Sequence, residues 1–264
     1  MKYRNIIAAA LLLALFSGST GSLMAQRKAF NQENLSHYDQ KPYHFGFSLG
    51  FNKMNFSLKP VESLYVLNEE TNFEGSTYGP LYTVLPRADF GFHIGIVSNL
   101  KISPMFDLRF VPTLAFGDRY IDYEYQRPAS SGLNGNGPAK VSQQFEATFI
   151  DLPLHIKYKS VRINNTRAYV LGGFKFSTDL SSNQFKDEGE DGGTIYARSA
   201  KNDFHYELGF GLDHYFYYFK FSTEIKASFG MRNLVYPGEA LPRIFTNSID
   251  RLNSKVIMVS FLFE

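Results

Sequence analysis

The feature that most constrains this chain is a period-two alternation whose two faces differ in size as well as polarity. Across 44–52, Phe45, Phe47, Leu49 and Phe51 alternate with His44, Gly46, Ser48, Gly50 and Asn52. Successive side chains point to opposite faces only in an extended strand, so the pattern reads as a strand with two unlike surroundings. It recurs over about 88–101, 105–117, 145–159, 167–178, 203–216, 219–231 and 254–263. Helical spacing is hard to find after residue 40.

The connections between the eight strands alternate in length. Ile102-Ser103-Pro104, the segment around Arg162 to Asn165, and Tyr217-Tyr218 are short, whereas 57–87, 118–144, 179–202 and 232–253 are long. This layout predicts an all-β fold: an eight-stranded antiparallel up-and-down transmembrane β-barrel with four long outer loops and three short periplasmic turns. Both termini would then be periplasmic.

A soluble sandwich or a lipocalin-like barrel also alternates, but it turns its apolar face inward. Residue size argues against both, because the bulky face is Phe, Leu and Ile while the other is Gly, Ser and single charges. Nine of the 21 glycines fall on the small face, including Gly91, Gly173, Gly209 and Gly211. Eight strands close a cylinder that side chains can fill, which accounts for that bias.

Composition agrees once the faces are separated. Aromatic residues make up 16% of the chain, with 26 Phe and 17 Tyr, yet mean hydropathy is only −0.21. A net charge of +2 gives no field for nucleic acid. Cys is absent, which removes disulfides, thiol nucleophiles, Cys-bearing metal sites and a lipidated N-terminal cysteine. Residues Met1 to Arg4 are basic, Ile6 to Phe16 is an uncharged apolar run, and Ser17 to Ala25 is small and polar. That order reads as a secretory signal, cut after Ala25 or after Gly21. The expected organisation is signal peptide 1–25, periplasmic N-terminal segment 26–43, and outer-membrane barrel 44–264. Phe261-Leu262-Phe263 resembles the terminal signal read by the barrel assembly machinery, although Met258 stands where a Gly is usual.

The inward face carries charges of both signs. Asp107, Arg109, Asp151, Lys157, Lys175, Glu207, Glu224 and Lys226 are expected to form a polar network that fills the lumen. An ion or proton path is the sharper alternative, but an eight-stranded barrel is narrow for one. His44, His93, His155 and His205 also point inward, without the spacing of a metal site, so neither metal nor cofactor is expected. No nucleophile motif is present. Asp118, Asp122 and Glu124 lie among Tyr120, Tyr123 and Tyr125, which read as an interfacial aromatic girdle rather than a catalytic rim.

Several blocks resemble the PorT family of Bacteroidetes outer-membrane barrels. They include His93 to Leu100, Leu108 to Gly117, Leu152-Pro153-Leu154, Lys157 to Ser160, Arg162 to Asn165, Arg167 to Leu171, and Asn247 to Lys255 with its Arg-Leu-Asn-Ser-Lys. The resemblance spans about 90–264 and leaves 57–87 and 118–144 unmatched. It implies a non-catalytic component of the type IX secretion system, which exports surface proteins and secreted proteases and serves gliding motility in relatives. Its partners would be outer-membrane lipid and other secretion components. The turn bearing Lys159, Arg162 and Arg167 is then a candidate contact for a periplasmic partner. A surface adhesin or ligand-binding barrel acting through its long loops, or a small porin-like barrel, is the alternative.

Overall fold

A computed structural model describes residues 34–62, 81–126, 138–182, 197–235 and 243–264. The expected signal segment and the middle of each expected long connection lie outside the described residues.

Nine strands follow one another: β1 (Tyr43–Pro60), β2 (Leu81–Lys101), β3 (Phe106–Phe110), β4 (Thr113–Gln126), β5 (Pro138–Lys159), β6 (Thr166–Asp179), β7 (Asn202–Tyr215), β8 (Lys220–Gly230) and β9 (Ile249–Phe263). A short helix α1 (Arg243–Asn247) precedes β9. Every pairing is antiparallel, and β1 pairs with both β2 and β9, so the sheet closes on itself. Closure leaves no free edge, the condition for backbone to cross a membrane.

The nine strands make eight staves, because β3 and β4 are two halves of one. The pattern over 105–117 suggested a single strand, but it breaks at Val111-Pro112. Proline has no N–H to give to the ladder. On the facing strand, Pro153 stands at the same level. Phe110 pairs with Leu154 and Thr113 with Asp151, so the ladder is interrupted opposite 152–153. Two prolines therefore share one defect. Ile96 N–H still donates to Pro112 O at 3.0 Å, and the alternation keeps its phase across the break.

Two glycines show why the inward face must be small. A Cβ on Gly211 would run into the ring of Tyr169, which crosses the lumen. At Gly173 the obstacle is different: the carbonyl of Leu154 on the neighbouring strand. Lumen crowding explains the first, and close approach of wall backbones the second.

The strands run further than the alternation of large and small residues suggested, and the long connections are shorter. Only 127–137 separates β4 from β5, where 118–144 was expected to be loop. Along the added length the sense of the alternation inverts. On β5, Ile150, Leu152, Leu154, Ile156 and Tyr158 face outward and are exposed, while Asp151, His155, Lys157 and Lys159 are buried. Higher on the same strand, Lys140, Ser142, Gln144 and Glu146 face out, and Ala139, Phe145 and Ala147 are buried. β1 changes between Phe51 and Lys53, β4 between Phe116 and Asp118, and β9 between Ile257 and Lys255.

On β1, β4, β5 and β9 the lower half is thus apolar outside and charged inside and the upper half is the reverse, whereas Tyr82 and Leu85 of β2 stay exposed at the upper level. Phe45 is 69% exposed and Phe90 73%, an exposure that places the lower wall against lipid rather than water. The outward apolar run on β5 is nine residues long, Ile150 to Tyr158, about the length that crosses the hydrocarbon when tilted.

Candidate functional site

The lumen, built by inward positions of every stave, is where the charged residues of the alternation converge in space. The eight inward charges singled out above all lie there, and all are buried. Arg109 Nη1 donates to Glu224 at 2.8 Å and its Nη2 lies 3.4 Å from Glu264. Glu224 also accepts from the Tyr169 hydroxyl at 2.7 Å and lies 3.3 Å from Lys226. Lys175 bridges Asp151 at 3.0 Å and Glu207 at 3.2 Å, and Glu207 holds His155 Nε2 at 2.7 Å. Lys157 is separate from these, paired with Asp213 at 2.8 Å and lying over the Tyr169 ring. Asp107 joins Lys159 at 2.6 Å and Asn99 at 2.9 Å.

Each buried cation here has a carboxylate, as a low-dielectric interior requires. Asp213, Lys220, Glu264 and Tyr169 complete the network beyond the residues named from the sequence. Their signal was available, since strand parity puts all four on the inward face.

Lys159, Arg162 and Arg167 do not form one surface. Lys159 is in the lumen, 5% exposed. Arg162 and Arg167 clamp the N-terminal strap, residues 34–42. Arg167 forks onto the Asp39 carboxylate at 2.9 and 3.2 Å, and Arg162 donates to the Asn34 carbonyl at 2.6 Å while stacking on Tyr215. Tyr215 also donates to Asp39 at 3.1 Å. Tyr38 stacks on His44 and donates to Glu264 at 3.2 Å. Burial, with Glu264 alongside, pushes the Tyr38 phenol well up, so it stays a neutral donor. The strap therefore lies across the short-turn mouth and is tied to the β5–β6 turn, β6, β7 and the chain end after β9.

The other mouth is filled by apolar side chains. Phe56, Leu81, Val84, Ile121, Tyr123, Phe145, Phe245 and Leu252 form one buried cluster. Phe56 meets Phe145 edge-on, and Phe245 of α1 meets Tyr123 the same way. Tyr123 is fully buried, which corrects its place in an aromatic girdle: at this height the wall stands above the lipid, and its apolar side chains turn inward. Tyr120 stays outside, under the Arg87 guanidinium, beside an ion pair of Arg87 with Asp122 at 3.3 Å. Arg119 marks the junction of charged and apolar layers, stacked on Phe56 and Phe149 with Ser254 at 3.3 Å. Two voids of about 10 Å³ each, one within the charged network beside Lys175, Glu207 and Glu224 and one between Met54, Phe149 and His205, have room for about one water apiece.

One trio has the order of groups found in serine hydrolases. His205 lies 3.2 Å from Asp203 and 3.2 Å from the Ser228 hydroxyl. Ser228 is completely buried within the wall of the barrel. Among the described residues, no group of three His, Asp or Glu could hold a metal ion.

A closed antiparallel barrel with a lipid-facing apolar belt and a polar interior defines an outer-membrane type of β-barrel. The family described as outer membrane protein beta-barrel domain matches residues 24–236, and the chain belongs to it. No curated protein matches the chain. Among solved structures, the outer membrane protein OprG from Pseudomonas aeruginosa is similar at 12% identity and a TM-score of 0.38, covering 83% of this chain and 92% of that one. The attachment invasion locus protein Ail of Yersinia pestis, solved in complex with the heparin analogue sucrose octasulfate, is similar at 10% identity and a TM-score of 0.35. That match covers 84% of this chain and 99% of Ail.

Proposed function

We propose that this outer-membrane barrel is a non-catalytic scaffold of the type IX secretion system, a member of the PorT family. In this reading residues 1–25 are a signal peptide, 26–43 a periplasmic segment and 44–264 the barrel, with the long loops outside and both termini periplasmic. The secretion role rests on the resemblance carried by the blocks from His93 to Lys255. One structural observation supports a scaffold over a pore: the lumen is filled from the strap through the ion pairs to the apolar cluster. Other secretion components would meet the barrel at its short-turn end, where Arg162 and Arg167 act by holding the strap in place. The barrel assembly machinery would insert it.

Deletion of the gene, followed by quantifying exported proteins at the cell surface, tests the role. Surface proteins should be lost and their precursors retained in the periplasm. Normal surface delivery would contradict it.

A second reading, a surface adhesin or ligand-binding barrel, is favoured by the height of the β4–β5 hairpin, whose outward face is polar from Asp118 and Glu146 upward. Shortening 127–137 should abolish ligand or host binding in that case and leave secretion of surface proteins intact in the first.

A further inference from the structure

The outward wall above the apolar belt is not uniform in charge. On the β2–β4–β5 side, Arg87 and Lys140 both engage Asp122, at 3.3 and 3.0 Å, with Asp118, Glu124 and Glu146 nearby on the same strands. On the seam between β1 and β9 the balance is reversed. Lys53, Lys59, Arg251 and Lys255 are exposed, and the register interleaves them: Lys59 is directly opposite Arg251, and Lys255 opposite Asn55, one diagonal step from Lys53. Asp250 holds Lys59 at 2.9 Å. Among the described residues, Lys53, Arg251 and Lys255 form no ion pair, and Lys53 lies over the Phe90 ring.

Like charges directly opposite on neighbouring strands destabilise a sheet. An anion between them removes that cost. The position of the seam selects which anion. Lys53 and Lys255 are the first outward residues above Phe51 and Ile257, the top of the lipid-facing belt on their strands. A ligand that puts phosphate on these cations has acyl chains of its own beside Phe51, Ile257 and Val259, at the depth where cations near a membrane surface attract anionic headgroups. Asn55, Ser57 and Asn253 stand between the charges.

We propose that the β1–β9 seam binds the phosphate groups of a phosphorylated lipid in the leaflet at the long-loop end. The assignment of leaflet rests on the orientation proposed above; the binding itself does not depend on the secretion role.

The test uses the purified full chain in dodecyl maltoside micelles, with bisphosphorylated lipid A and its dephosphorylated form of identical acyl chains as probes. Lipid retained per barrel is measured after gel filtration. Wild-type protein should retain the phosphorylated form in preference by on the order of tenfold or more. The triple variant Lys53→Gln/Arg251→Gln/Lys255→Gln should fall to the dephosphorylated level, and Arg87→Gln/Lys140→Gln on the opposite wall should not. Equal retention of the two lipids, or an unchanged triple variant, overturns the proposal. Displacement of the lipid by millimolar inorganic phosphate overturns the lipid as occupant and leaves a phosphate site. If the triple variant does not fold, the wild type decides: the preference should shrink as salt rises through molar range, and a salt-independent preference overturns the proposal. Because the measurement is made in micelles, a failed orientation or secretion assay does not alter its outcome.

Discussion

Arg109 has two buried carboxylates, Glu224 at 2.8 Å and Glu264 at 3.4 Å. Changing Arg109 to Met takes one of two cations from each carboxylate, leaving Glu224 with Lys226 at 3.3 Å and Glu264 with Lys220 at 2.7 Å. Breaking a buried pair costs about 3–5 kcal/mol, and the remaining lysines hold this loss toward the lower end of that range. Equilibrium unfolding in urea and detergent should show it. Adding Glu224→Gln to Arg109→Met should recover part of the loss, whereas two independent sites would add. Tyr123 gives the opposite case. Its buried hydroxyl has no hydrogen-bond partner among the described residues. Removing an unsatisfied polar group from an apolar cluster costs nothing, so Tyr123→Phe should be neutral or stabilising by about 1 kcal/mol in the same unfolding assay.

At the scale of elements, β4 and β5 carry the main lesson about what a sequence displays. Period two places each residue on one of two faces, and it does so correctly along both strands. It does not say which face meets lipid. In the lower half the bulky face is outside; above Phe116 and Thr148 it is inside, and the residue types around Asp118 to Glu124 look like a loop when read with the lower half's rule. Strand existence and inward charges were therefore legible from parity, and order and closure from the alternation of short and long connections. The upper cluster was not, since Phe56, Tyr123 and Phe245 come from β1, β4 and α1, and only the folded register brings them together. The strap was hidden for a related reason. Residues 34–42 have no periodicity, and Asp39 has a function only once Arg167 and Tyr215 are opposite it. Asp39→Ala removes those bonds and should loosen the strap by about 1 kcal/mol, the pair being partly exposed. Limited proteolysis of the purified barrel should then cut near Tyr38 faster than in wild type, with the rest of the barrel resistant.

As a whole, the molecule is a barrel standing half in lipid and half in water, closed at both ends by different means. Ion pairs and the strap fill the part inside the membrane; aromatic and aliphatic side chains fill the part above it. Two consequences are measurable. In planar bilayers the folded barrel should give no steady conductance, and a stable open channel would contradict the filled lumen. Charge on the outer wall should also be penalised by height. An Arg at Leu154, at the middle of the belt, should cost about 2–4 kcal/mol of stability in lipid, and an Arg at Gln144 close to nothing.

The position of the water boundary is the claim on which the rest depends, and the absence of Cys from the chain gives it a clean test. Single substitutions down the outward face of β5, Lys140→Cys, Gln144→Cys, Glu146→Cys, Ile150→Cys, Leu154→Cys and Ile156→Cys, can be treated with a membrane-impermeant maleimide in barrel-containing vesicles opened to both sides. The first three should label fully and the last three should stay unlabelled until detergent is added, with the change between Glu146 and Ile150. Labelling that continues below Ile150, or protection that extends above Glu146, would contradict the half-immersed barrel.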